Sequence, residues 1–288
     1  KTAHVSLRIN PDVDAKTHAK ISTGKSENKF GVPWKDALRV YGRAARLPGL
    51  KVSGIDMHIG SQITELEPFD KAFGRLGDLI RALRAEGHTI DHVDLGGGLG
   101  IPYREDNNPP PSPEAYAETV KKHVTDLNCQ VVFEPGRLIA GNAGMFVVST
   151  VFLKRGDGKD FVIVDGAMND LIRPTLYDAW HDIMPVHEAP ADADYVTADI
   201  VGPVCETGDY LAQDRSLPVM EAGDLLAVAS AGAYGAVQSG AYNSRLLVPE
   251  VLVNGDQVHV IRPRTSYEEL LALDSVPDWL SESSEAAE

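Results

Sequence analysis

Four short segments, 5–10, 52–58, 92–95 and 130–134, constrain the fold most. Each alternates apolar and polar residues and gathers its polar residues toward the C-terminal end. Side chains two apart in a strand share a face. Val5, Leu7 and Ile9 therefore oppose Ser6, Arg8 and Asn10, and Ile55 and Met57 oppose Asp56 and His58. Val93 and Leu95 oppose His92 and Asp94, and Val131 and Phe133 oppose Val132 and Glu134. The last three segments recur about every 38 residues, the pace of βα units. Helical patterns fill the gaps. One runs over 33–46, with Pro33 near its start. A second covers 68–86, with Phe69, Ala72, Phe73, Leu76, Leu79, Ile80 and Leu83 on one face. A third opens at Ser112-Pro113-Glu114, where serine caps, proline takes the first turn and glutamate meets the positive end of the dipole.

A doubly wound sheet buries both faces in apolar contact. Strands with one apolar face and polar groups near their C-terminal ends instead predict a (β/α)8 barrel, whose chemistry sits at that end. After about Gly141 the texture changes. Strand patterns at 145–153, 161–165, 195–201, 224–230, 246–253 and 257–261, separated by turns such as Asn254-Gly255-Asp256, predict an antiparallel β domain. The expected class is α/β plus β: the last four βα units of a TIM barrel over 1–140, then a C-terminal β domain over 141–288. A closed eight-stranded barrel takes ~250 residues. Four strands leave either an open sheet or four βα units absent from the front. The abrupt opening at Lys1-Thr2-Ala3 favours the second expectation. A short helix is expected over 267–273, and the polar tail 281–288 is expected to fray.

With 27 Lys and Arg against 42 Asp and Glu, the net charge is −15. No basic stripe marks a nucleic-acid partner, and the same acidity opposes an anionic membrane. No apolar run approaches the ~18 residues of a membrane span. Two cysteines, Cys129 and Cys205, without a CxxC or a Cys/His cluster, fit a reducing cytoplasm and give no metal site.

Three turns carry chemistry. Gly96-Gly97-Gly98-Leu99-Gly100 leaves a strand directly, so bare backbone can turn its N–H groups onto a phosphate. It is not a dinucleotide fingerprint, since Ile101 stands where the last glycine should be. Alone, such a turn is structural as readily as functional. Glu134-Pro135-Gly136-Arg137 leaves the next strand, and barrel phosphate sites are frequently built after the last two strands. His58-Ile59-Gly60-Ser61 ends the second strand, with a histidine that could equally be a core residue. Gly24-Lys25-Ser26 imitates the end of a P-loop, but no glycine lies five residues earlier, and it is read as loop. Together, backbone donors, an imidazole face and a carboxylate suit pyridoxal phosphate, whose pyridine nitrogen needs an anionic partner to work as an electron sink.

The motifs HIGSQ, LGGGLG, EPGR, VDGAMNDLIRPTLYDAWH, VCETGDYLA and SAGAYGAVQSGAYNSR, in that order, resemble the bacterial diaminopimelate decarboxylase family, of the alanine-racemase-like fold. The likeness spans residues 1 to about 275. It implies a pyridoxal-phosphate enzyme of lysine biosynthesis, dimeric, with active sites at the interface. It further implies that His58 stacks on the cofactor ring and Glu134 pairs with its pyridine nitrogen. By the same likeness, Ser61, Gly97, Gly98, Gly136, Arg137 and Tyr234 are expected to hold or contact its phosphate. Arg137, Arg173 and Tyr177 are expected to grip the distal carboxylate of the substrate, Glu206 its distal ammonium, and Tyr234 is also expected to meet the substrate. Cys205 is expected to reprotonate Cα from across the interface. The family's usual CES-x-D is here Cys205-Glu206-Thr207-Gly208-Asp209, with threonine for serine. Taken singly, Arg173 reads as a surface arginine, Cys205 as a small buried apolar residue, and Tyr234 and Tyr242 as packing residues.

The lysine that carries the cofactor in this family lies in a Tyr/Ala/Lys motif on an early barrel strand. Lys1, Lys16, Lys20, Lys25 and Lys29 do not match that context. The chain is therefore expected to be inactive by itself. The alternatives are a decarboxylase of the same fold acting on ornithine, arginine or carboxynorspermidine, or a non-catalytic cofactor-binding homologue.

Overall fold

The computed structural model describes residues 1–15, 17, 19–21, 23–24, 29–106 and 109–281. Lys16, Lys25 and Ser26, on which two of the readings above fall, lie outside the described residues, as do tail residues 282–288. The chain divides into two compact units. The first comprises residues 1–146, 180–184 and 227–233, and the second 147–179, 185–226 and 234–288.

The first unit is built on strands β1 (Ala3–Asn10), β2 (Val32–Pro33), β3 (Leu50–Asp56), β4 (His92–Asp94) and β5 (Gln130–Val132), in the order β2-β1-β3-β4-β5. Every pairing is parallel. Helices α1 (Ala37–Ala44), α2 (Glu67–Ala85), α3 (Pro113–Val124) and the single turn α4 (Arg137–Ala140) alternate with the strands. The expected start of α1 at Pro33 is corrected. Pro33 closes β2, and residues 34–36 form a 3₁₀ turn first. Proline's fixed φ and missing N–H suit a short edge strand as well as a helix start.

Register explains the alternation. Ser6, Gly54, His92 and Gln130 form one row across four strands, and Arg8, Asp56, Asp94 and Val132 form another. Between them Leu7, Ile55, Val93 and Val131 point the other way. There Ile55 and Val93 join Tyr41, Phe69, Phe73, Leu76, Ile80 and Leu83 in the core. The Tyr41 hydroxyl, fully buried, donates to the Gly54 carbonyl at 2.8 Å. Ser112 caps α3 as expected, accepting from the Ala115 N–H at 3.3 Å. In the first polar row, Ser6 Oγ and His92 Nε2 meet at 2.7 Å, and His92 Nδ1 meets Asp91 Oδ1 at 2.8 Å. Gly54 lies beneath this bridge. A Cβ there would come 1.9 Å from His92 Nε2.

The later strands are β6 (Phe146–Lys154), β7 (Asp160–Val164), β8 (Ile183–Pro185), β9 (Tyr195–Val201), β10 (Tyr210–Pro218) and β11 (Leu225–Val228), in a sheet of order β10-β9-β7-β6-β11-β8. Helix α5 (Arg173–Tyr177) follows β7, and β12 (Glu250–Asn254) and β13 (Gln257–Arg262) form a separate hairpin. Two short helices, α6 (Tyr267–Leu271) and α7 (Asp278–Ser281), follow. The expectation of a purely antiparallel domain is corrected, because β7 and β9 pair in parallel. No helix among the described residues is long and apolar enough to cross a membrane.

Candidate active site

In the first unit the three turns named from the sequence converge beyond the C-terminal ends of β3, β4 and β5. His58 Nδ1 accepts from the Gly97 N–H at 3.2 Å, and the Glu134 N–H donates to the Gly96 carbonyl at 2.9 Å. The Ile63 N–H donates to Gly98 O at 2.9 Å, and the Gly100 N–H to Ile63 O at 2.9 Å. Gln62 bonds both polar atoms of the Ile101 backbone. The HIGSQ and LGGGLG loops are thus stitched together. The glycines are needed: a Cβ on Gly97 would lie 2.2 Å from Glu134 O, and one on Gly98 2.2 Å from Gly60 O. Gly136, by contrast, opens onto free space. Arg137, 7% exposed, donates to Ser61 Oγ at 3.0 Å and to the Tyr103 hydroxyl.

Electrostatics at these strand ends are set by the second polar row. Carboxylate oxygens of Asp56, Asp94 and Glu134 lie within 4.8 Å of one another. Asp56 Oδ1 is buried without a hydrogen-bond partner among the described residues. Burial, then the negative charges of Asp94 and Glu134, push Asp56 from 3.8 up to about 6, against the pull of Arg8. Burial also pushes the His58 imidazole below its ordinary value, with Arg8 adding to the shift. A neutral ring whose Nδ1 accepts from Gly97 carries its proton on Nε2.

Asp56 gives a signed pH dependence. Its folded value lies above the unfolded one, so the fold favours the protonated acid. The penalty is absent below about pH 4 and complete above about pH 6. Asp56→Asn, which mimics the neutral acid, should leave Tm unchanged at pH 4. At pH 7.5 it should raise stability by roughly 1–2 kcal/mol, solvent screening having reduced the full shift. Equal effects at both pH values would show that charge is not the cause.

The second unit holds a separate set. Arg173 opens α5 and is 6% exposed, not a surface arginine. Cys205 is exposed, not a buried filler. Tyr234 and Tyr242 are also exposed, at 42% and 49%. Thr175 Oγ1 donates to Gly208 O at 2.6 Å, which ties the helix of Arg173 and Tyr177 to the turn of Cys205 and Glu206. The Tyr242 hydroxyl donates to Glu206 Oε2 at 2.7 Å, and the Tyr177 hydroxyl meets Gln238 Nε2 at 3.4 Å. Tyr234 adopts φ +58°, a left-handed conformation that a bulky residue holds only under constraint. The expected residues thus fall into two sets, seven in the first unit and five in the second.

Residues 1–141 match the family model described as pyridoxal-dependent decarboxylase, pyridoxal binding domain. The chain is 51% identical over 280 residues to the diaminopimelate decarboxylase of Zymomonas mobilis, covering 97% of this chain and 66% of that one. It is 52% identical over 275 residues to that of Vibrio cholerae, covering 95% and 65%. The crystal structure of Helicobacter pylori diaminopimelate decarboxylase complexed with L-lysine superposes with a TM-score of 0.89 at 38% identity, covering 94% of this chain and 67% of that one. The chain belongs to the diaminopimelate decarboxylase family. Its parallel βα unit and its β unit are the barrel and β-domain elements of that fold. The chain spans 66% and 65% of the Zymomonas and Vibrio relatives' lengths. Within the family's motifs, the sequence named His58, Glu134 and the glycine turns but gave no role to Arg8, Asp56 or Asp94. The signal for those three was their place on the polar face of each strand.

Proposed function

We propose that the chain takes part in pyridoxal-phosphate-dependent decarboxylation of meso-2,6-diaminopimelate to L-lysine and CO2. The observation that carries this reading is the Thr175–Gly208 bond, which holds a buried guanidinium, Arg173, and an exposed carboxylate, Glu206, on one frame. That pair suits a substrate whose far end bears both a carboxylate and an ammonium. Ornithine and arginine have no far carboxylate for a guanidinium to grip. The names of the relatives support the same substrate.

The first unit fits the cofactor. The glycine turns bring bare backbone to the strand ends where a side chain at Gly97 or Gly98 would collide, and Arg137 and Ser61 stand together at 3.0 Å as a cation and a hydroxyl for a phosphate. Gly97, Gly98 and Gly136 complete that cradle, and Tyr234 is a further proposed contact of the phosphate and the substrate. His58 presents a neutral imidazole as a stacking face, and Glu134 presents an anion to the pyridine nitrogen. The bound cofactor would supply an electron sink for the charge left when CO2 departs. Arg137, Arg173 and Tyr177 orient the far carboxylate, Glu206 the far ammonium, and the Cys205 thiol delivers a proton to Cα. None of these residues is a lysine able to carry the cofactor covalently. The assembly we propose is a cytoplasmic homodimer in which Cys205 serves the partner's site.

The test is lysine and CO2 release from meso-diaminopimelate with added pyridoxal phosphate. It is run on the 288 residues and on the product of the whole coding sequence. Stoichiometric lysine from the latter supports the reading. Turnover of ornithine or arginine without turnover of diaminopimelate overturns it. Activity in the 288 residues alone would place the carrier lysine within them.

A further inference from the structure

Asp209 has no part in the chemistry above, yet it is 3% exposed and lies four residues beyond Cys205. Its carboxylate accepts two backbone N–H bonds. Oδ2 takes that of Val204, the residue before Cys205, at 2.6 Å. Oδ1 takes that of Met168 at 2.7 Å. Its own N–H donates to Glu206 O at 3.0 Å, and its carbonyl accepts from Gly202 at 3.1 Å. The turn is closed further by the Glu206 N–H on Val204 O at 2.7 Å. Space for the carboxylate exists only because residue 202 is glycine, where a Cβ would come 2.5 Å from Asp209 Oδ2. The neighbouring Ala167 N–H is held at 3.0 Å by a second buried carboxylate, Asp170, which Arg245 pairs at 3.5 Å. Burial raises Asp209 above the usual carboxylate value, and its two N–H donors oppose that.

We infer that Asp209 is a positioning residue: its carboxylate ties the main chain just before Cys205 to that of Met168, and so sets where the thiol points. The inference rests on the proposed role of Cys205. Asparagine cannot replace it, because one of its two ends is an NH2 donor that must face either Val204 N–H or Met168 N–H. A staple lost at the proton donor affects the chemical step more than binding. A misplacement of about 1 Å can cost on the order of 10²-fold in rate.

The experiment compares the full-length protein with Asp209→Asn, Cys205→Ala and the double variant. Asp209→Asn is expected to lower kcat for lysine formation by about 10–100-fold, with KM changed by less than about threefold. In the Cys205→Ala background the same change should have no further effect beyond about twofold, since its route runs through the thiol. Multiplicative losses, or an unchanged kcat, overturn the inference. A second readout needs no turnover. Alkylation of Cys205 by iodoacetamide should change its rate in Asp209→Asn while that of Cys129 does not. No change at Cys205, or equal changes at both, argues against the staple. If Asp209→Asn does not fold, hydrogen exchange on the unaltered protein decides: the amides of Val204 and Met168 must be protected, and rapid exchange at both sinks the inference. Should diaminopimelate prove not to be the substrate, the alkylation and exchange results still judge the staple separately.

Discussion

Glu134→Gln is expected to lower kcat for diaminopimelate decarboxylation by about 10²–10³-fold, the scale seen when one preorganised charged or donor group is removed from a reacting centre. The substitution is nearly isosteric, and the fold should not notice it. Glu134 is solvent-exposed, and its place is fixed by its own N–H on Gly96 O at 2.9 Å rather than by its side chain. On the proposed reading, what is lost is the carboxylate that would pair with the pyridine nitrogen and would favour the protonated ring that serves as an electron sink. A second consequence follows from the carboxylate cluster. Glu134 is one of the charges that raise Asp56, so removing it should shrink the pH-dependent gain of Asp56→Asn. Rate and Tm at pH 4 and 7.5 check both. A kcat within about threefold of the parent would remove Glu134 from the cofactor's side.

The fold was legible wherever pattern and packing agree. The apolar faces of β3, β4 and α2 are buried as their periodicity requires, and Ser112 caps α3. β10 was not legible, although it is nine residues long. Register shifts interrupt its pairing with β9 between Tyr210 and Arg215, and Asp214 takes φ +52°. Bulges of this kind break the two-residue alternation on which strand reading depends. The parallel pairing of β7 with β9 is likewise a tertiary choice with no local signal. At the site, residues that leave a strand with a distinctive turn were legible, as with His58, Gly97 and Glu134. Those whose role depends on register across strands were not. Arg8, Asp56 and Asp94 each read only as polar-face residues until the sheet sets them in one row. Asp209 was visible as the last residue of a motif, but its two N–H partners lie 5 and 41 residues away.

Gly98→Ala is expected to be the most destabilising of these changes, with Tm falling by roughly 5–15 °C. Two costs combine. Gly98 sits at φ +98°, and a residue with a Cβ held in so sparsely populated a region loses about 1–3 kcal/mol. The added methyl would also come 2.2 Å from the Gly60 carbonyl oxygen. That atom is main chain and cannot swing aside as a side chain would, so relief requires parting two loops held by Ile63, Gly98 and Gly100. Such overpacking adds about 1–3 kcal/mol. Gly87→Ala separates the two costs. Gly87 has a similar φ of +88°, with nothing within 4 Å of the position a Cβ would take, so it carries the backbone strain alone. Thermal unfolding followed by circular dichroism should show a clearly larger fall for Gly98→Ala than for Gly87→Ala. Equal falls would mean that backbone conformation alone demands glycine in the LGGGLG loop, and that the close approach of the HIGSQ loop is tolerant of a methyl group.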